Sequence, residues 1–152
     1  MYDLLTKPFE KLRAYEGYGP LFLRLIVGFH LIYGTQDNVF SYARMLEFRE
    51  FLVHHGFPFP LFSAFLSVYA QFLAGICFLL GLCVRLAGSI MIVNFLVAIA
   101  MVHIGDAYPA VFPALMMLFS AVFFTLSGAG NCSLDRAMEL RKMAIVSSKP
   151  LN

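Results

Sequence analysis

Four stretches of this chain, roughly residues 20–40, 61–82, 86–104 and 110–128, are predominantly apolar, and each has about the 20 residues a helix needs to cross a hydrocarbon core. No other feature restricts the fold as strongly. In lipid, backbone N–H and C=O groups must bond within their own segment, so such runs are helical. The composition points the same way. Hydrophobic residues make up 61% and charged residues 13% of the 152-residue chain, against about 25% charged in an ordinary soluble domain. A single soluble domain of this length could not bury so much apolar surface. The expected fold is all-α, an integral membrane four-helix up-and-down bundle, its neighbours antiparallel because the connections are short.

The remaining segments read as amphipathic interfacial helices and a tail. Residues 1–19 carry Leu4, Leu5, Phe9 and Leu12 at helical spacing, with Lys7, Lys11 and Arg13 elsewhere on the same segment. That suits a short helix on the cytoplasmic interface, and no signal-peptide pattern is expected there. In 41–60, Met45, Phe48, Phe51 and Leu52 share one helical face and Arg44, Glu47 and Glu50 another, which predicts an amphipathic helix on the outer surface. Gly56, Pro58 and Pro60 then end it. Residues 129–152 are expected to form a cytoplasmic tail.

Orientation follows from basic residues near the span ends. Lys7, Lys11, Arg13, Arg85, Arg136, Arg141, Lys142 and Lys149 fall on one side, Arg44 and Arg49 on the other, and Arg24 within a span. Both termini are therefore expected in the cytoplasm. The net charge of +2 suggests no nucleic-acid partner; membrane lipids are the expected neighbours. Ser63, Ser67, Gln71 and Gly75 recur every four residues in the second span, a stripe that permits close helix approach. Pro113 is expected in the first turn of the fourth span, where a missing N–H costs little.

Near the middle of the spans lie His30, Gln71, Asn94 and Ser120, one polar side chain per helix. Polar groups at membrane depth usually face the bundle interior. Two readings stay open: interhelical hydrogen bonds that set helix register, or a pocket for a ligand with polar head atoms, such as a quinone ring. Asp37 lies seven residues beyond His30 and so projects in nearly the same direction. The outer end should also gather Gln36, His103, Asp106 and Tyr108, with His54 and His55 nearby. A carboxylate beside a histidine there could relay protons to a buried redox ligand. Arg24, nearer the inner interface, is read as an anchor that snorkels outward or as a contact for an anionic head group.

Other chemistry lacks support. Cys77, Cys83 and Cys132 form no Cys-x-x-Cys, so a dithiol relay has no local signature and the cysteines are expected to stay reduced. The histidine spacing defines no metal site, and His30 and His103 differ too much in depth to sandwich a haem. No phosphate loop or nucleophile elbow is present. Chemistry would have to use a cavity within the membrane or a partner subunit.

Four segments in order, LRLIVGFHLIYGTQDNVF, FREFLVHHGFP, GICFLLGLCVRLAG and SGAGNCSLDRAM, resemble the DoxX family of small four-helix membrane proteins. Arg24, Gln36 and Arg85 match that family's pattern. Asp37 stands where a lysine is common, and Gln71 where the second helix commonly has an acid. If those charges serve thiosulfate chemistry, this chain lacks that activity. The resemblance implies a small subunit of an oxidoreductase assembly in a bacterial or archaeal cytoplasmic membrane, alongside other membrane or redox subunits or a further copy of itself. On this reading His30, Gln71 and Asn94 would bind and orient a quinone, Asp37 or His103 would exchange protons, and no intrinsic cofactor is expected. A non-catalytic structural or assembly subunit is the alternative.

Overall fold

The computed structural model describes residues 11–147. Leu4, Leu5, Lys7, Phe9 and Lys149 thus lie outside the described residues. The rest of the N-terminal segment is a 3-10 helix, Lys11–Tyr18. Six α-helices follow: α1 Gly19–Phe40, α2 Tyr42–His54, α3 Pro60–Leu80, α4 Val84–Val102, α5 Tyr108–Ser127 and α6 Leu134–Ser147. The four long ones begin and end within two residues of the apolar runs that predicted them.

Local chemistry sets these ends. Prolines stand in the first positions of α1, α3 and α5, where the lost N–H has no helical partner anyway. At the end of α3, Gly81 turns left-handed (φ +68°), and Leu82 N–H bonds Cys77 O at 2.9 Å. Gly56 closes α2 in the same way, with Phe57 N–H on Leu52 O at 3.1 Å. Both are Schellman endings that use glycine because a Cβ disfavours the conformation. Pro113 departs from expectation. Because α5 starts at Tyr108, this proline lies inside the helix rather than in its first turn, and the carbonyl four residues earlier loses its helical donor.

Helix α1 packs on α3, α3 on α4, α4 on α5, and α5 returns to α1. The buried face of α1, Pro20, Arg24, Val27, Gly28, Leu31 and Thr35, recurs at three- and four-residue spacing. Two glycine contacts bring helices close. A Cβ on Gly28 would meet Gly75 O at 2.8 Å, and one on Gly75 would meet Gly28 O at 2.9 Å. Gly88 of α4 lies equally close to Ala121 O of α5. Of the small-residue stripe in α3, then, Gly75 serves the closest contact with α1.

The core between these helices is formed by Val27, Leu31, Ala74, Phe78, Val84, Ala87, Met91, Ala121 and Phe124. Met45 and Leu52 of α2 are buried against Ala64 and Val68 of α3, with Phe48 packed beside them. Phe51, expected on the same face, remains largely exposed. Helices α3, α4 and α5 are each long and apolar enough to cross a membrane. Helix α1 is as long, at 22 residues, but Arg24, His30 and the Gln36–Asp37–Asn38 cluster lower its hydropathy.

Candidate functional site

Three of the sequence-selected polar residues converge. His30 of α1, Gln71 of α3 and His103, just after α4, line one cavity of about 200 Å³. Its remaining walls are Leu31, Gly34, Phe95, Ala98, Pro113, Ala114 and Met117. The internal proline of α5 therefore contributes apolar wall. The cavity is open to the surface, with His30, Gly34 and Pro113 exposed, and its volume is comparable with the about 150 Å³ that admits a benzene ring when a cavity is closed and apolar. It is smaller than the pockets of roughly 300–1,000 Å³ that hold drug-sized ligands. The polar groups suited to fixing such a ring are two imidazoles and an amide.

Asn94 does not line the cavity; it supports a residue that does. Ser67 donates to Asn94 Oδ1 at 2.8 Å, and Gln71 Nε2 donates to Ser67 Oγ at 3.0 Å. This chain joins α3 to α4 and fixes the turn of the Gln71 amide. Sequence reading placed Ser67 in a packing stripe and missed its role as the link. Its position one helical turn before Gln71 was the available signal. Ser120, expected in the same polar layer, instead donates to Met116 O of its own helix at 2.7 Å.

The carboxylate–histidine pair exists, but with different members. His103 Nδ1 lies 2.9 Å from Asp106 Oδ2. After α4 ends, Gly105 takes a positive φ of 90°, and Asp106 N–H returns to His103 O at 3.2 Å, bringing the carboxylate back to the ring. Asp37 instead lines a separate groove of about 300 Å³ with Gln36, Phe40, Ser41 and Arg44. It shares an azimuth with His30 but lies two turns further on, about 10 Å along the axis.

Arg24 belongs to neither cavity. It is buried, with 1% of its surface exposed, so it does not snorkel. Its Nη2 donates to Cys132 O at 2.6 Å, in the segment after α5. Its Nε and Nη1 are buried without a hydrogen-bond partner among the described residues. The same segment supplies Asp135, whose carboxylate accepts from the N–H groups of Cys83 (2.7 Å) and Val84 (3.0 Å). Those amides open α4, where Cys83 is left-handed (φ +50°), and a carboxylate at a helix start caps unpaired donors and complements the dipole. Asp135 N–H in turn bonds Gly81 O at 2.9 Å, and Asn131 N–H bonds Gly17 O at 2.8 Å. Arg85 donates to Thr125 O and Leu126 O, both at 2.8 Å, capping the end of α5. Two of the three residues that match the DoxX pattern, Arg24 and Arg85, thus hold helix ends together. Gln36 lies at the far end.

Packed all-α architecture with three membrane-crossing helices defines a multi-pass membrane protein. The DoxX family model matches residues 19–104, and the chain belongs to that family. The match contains His30, Gln71, Asn94 and His103 and ends before α5. No curated protein matches, and no solved structure matches.

Proposed function

We propose that this protein is a four-span subunit of a membrane oxidoreductase assembly and holds a quinone head group in the His30–Gln71–His103 cavity. The observation carrying this reading is the convergence of three polar side chains, from three parts of the chain, on a ring-sized and otherwise apolar space. His30 and His103 would hydrogen-bond ring oxygens, Gln71 would orient the ring, and Asn94 would act through Gln71. The His103–Asp106 pair would hold a proton at the cavity wall, a role for which Asp37 lies too far along α1. Arg24, committed to Cys132, serves the assembly of helix ends rather than the ligand.

The length of α1 and its packing between α3 and α5 support counting it as the fourth span. The distribution of lysine and arginine supports placing the Gly81 and Gly128 end in the cytoplasm. The chain has no redox centre evident in its sequence, so electrons would come from a partner subunit. The setting we propose is a bacterial or archaeal cytoplasmic membrane.

The test is mild-detergent purification followed by solvent extraction and mass analysis of bound isoprenoids. Quinone should accompany the wild-type protein and be lost from a folded His30→Leu variant. Quinone retained by that variant would overturn the placement. An assembly that falls apart without this chain, while the chain itself carries no isoprenoid, would establish the structural-subunit alternative.

A further inference from the structure

Helix α5 touches α1 much more lightly than it touches α4. The bonds that tie α1 and the turn before it to the segment after α5 lie at one end, from Asn131 N–H to Gly17 O and from Arg24 to Cys132 O. The buried residues of α5, Ser120, Ala121 and Phe124, all fall in the half nearer that end. Toward the other end the two helices face each other across the cavity. His30, Leu31 and Gly34 line it from α1, and Pro113, Ala114 and Met117 from α5.

Exposure shows where this cavity opens. His30, Gly34 and Pro113 are exposed, whereas His103 is half-buried. Gly34 lies six residues before the end of α1 at Phe40, and Pro113 five after the start of α5 at Tyr108. In antiparallel helices these depths match, at about 8 Å inside the ends. His30 is deeper, ten residues from Phe40, or about 15 Å, which is half of a hydrocarbon core. With α1 counted as a span, as proposed above, an opening at these depths faces acyl chains. An imidazole left to hydrocarbon is costly unless a polar group covers it.

Gly34 keeps the opening clear. Gly28 and Gly75 are glycines where helices touch, but a Cβ on Gly34 would meet nothing within 4 Å. It lies six residues past Gly28, about 120° around the axis from the contact with α3. Neither packing nor a turn calls for glycine there, and glycine is a weak helix former. What it contributes is space at the mouth of the cavity.

We infer that the cavity is loaded sideways from the bilayer, through the gap between Gly34 of α1 and Pro113 of α5, by a ring whose apolar chain stays in that gap. This rests on the quinone reading above and adds to it a route and a ligand class, a long-chain amphiphile rather than a small water-soluble quinone. A cavity of about 200 Å³ falls below the roughly 300–1,000 Å³ that holds a drug-sized ligand. The chain of such a ligand therefore lies outside it, in lipid beside α1 and α5, while the ring covers His30.

The experiment uses full-length protein in phosphatidylcholine vesicles with an alkyl-benzoquinone that carries a diazirine near the ring end of its chain. After irradiation, labelled peptides are mapped by mass spectrometry, with and without an excess of unlabelled long-chain quinone. Competable label should fall on residues 33–37 of α1 and 112–117 of α5. Competable label confined to residues 103–107, or to α3, would overturn the lateral route and leave the quinone reading standing. No competable label anywhere in the chain would overturn both. Gly34→Phe narrows the gap at a position with room for a side chain, so the variant should unfold like wild type. Its competable label should fall about tenfold, equivalent to about 1.4 kcal/mol, and Gly34→Ala should lose less. Undiminished label in folded Gly34→Phe would also overturn the inference.

Discussion

At the end of the molecule where α1 starts and α5 stops, side chains and amides bond across long stretches of sequence. Arg24 reaches Cys132, Asp135 reaches Cys83 and Val84, and Arg85 reaches the last carbonyls of α5. At the opposite end the bonds are local: Asn38 to the Arg44 carbonyl, Ser63 to the Pro58 carbonyl, His103 to Asp106. One end spends its polar groups on holding helices together. The other leaves an amide and two imidazoles beside a cavity. A binding site needs unspent donors and acceptors, and the proposed one lies at the end where they remain.

That contrast can be broken most sharply at Gly81. A side chain there would occupy the space of the Arg24 guanidinium, on a backbone already left-handed. Gly81→Val combines left-handed strain of about 1–3 kcal/mol with overpacking of about 1–3 kcal/mol. The expected result is a loss of about 4 kcal/mol in denaturant unfolding in detergent. A stability near wild type would refute the tied-end description.

Asp135→Ala should cost less, about 2 kcal/mol, because it removes one charged acceptor shared by two amides. Hydrogen exchange at Cys83 and Val84 should quicken selectively, and unchanged protection there would show that the cap is dispensable. The smallest effect belongs to the open end. Asp106→Asn should leave unfolding within about 0.5 kcal/mol of wild type, as for an exposed local pair. A larger destabilisation would mean that the His103–Asp106 contact helps hold the helices together after all.

Much of the fold is legible from local sequence. Apolar length places four helices, glycine and proline place their ends, and Met45 and Leu52 mark the inward side of α2. The candidate site is only partly legible. His30 and Gln71 are identifiable as polar groups in apolar runs, yet the partner of His103 is not, because it depends on a left-handed turn at Gly105. Asp37 shows the limit of periodicity: a seven-residue repeat gives direction around a helix, while a cavity also ends at a particular depth. Arg24 shows another. Its outward or inward course depends on where residues 129–135 travel after α5, and nothing within α1 encodes that path.

By itself, then, the sequence determined that this chain is a set of membrane-length helices and where each begins and stops, since hydropathy, capping and turn chemistry act over a few neighbouring residues. Tertiary structure alone decided which polar groups meet. Close approach at Gly28 and Gly75 sets how α1 and α3 face each other, and the Ser67–Asn94 bond ties α3 to α4. Those rotations and depths put His30, Gln71 and His103 around one cavity and leave Asp37 and Arg24 outside it, because hydrogen bonding requires atoms within about 3 Å and only packing brings distant residues that close.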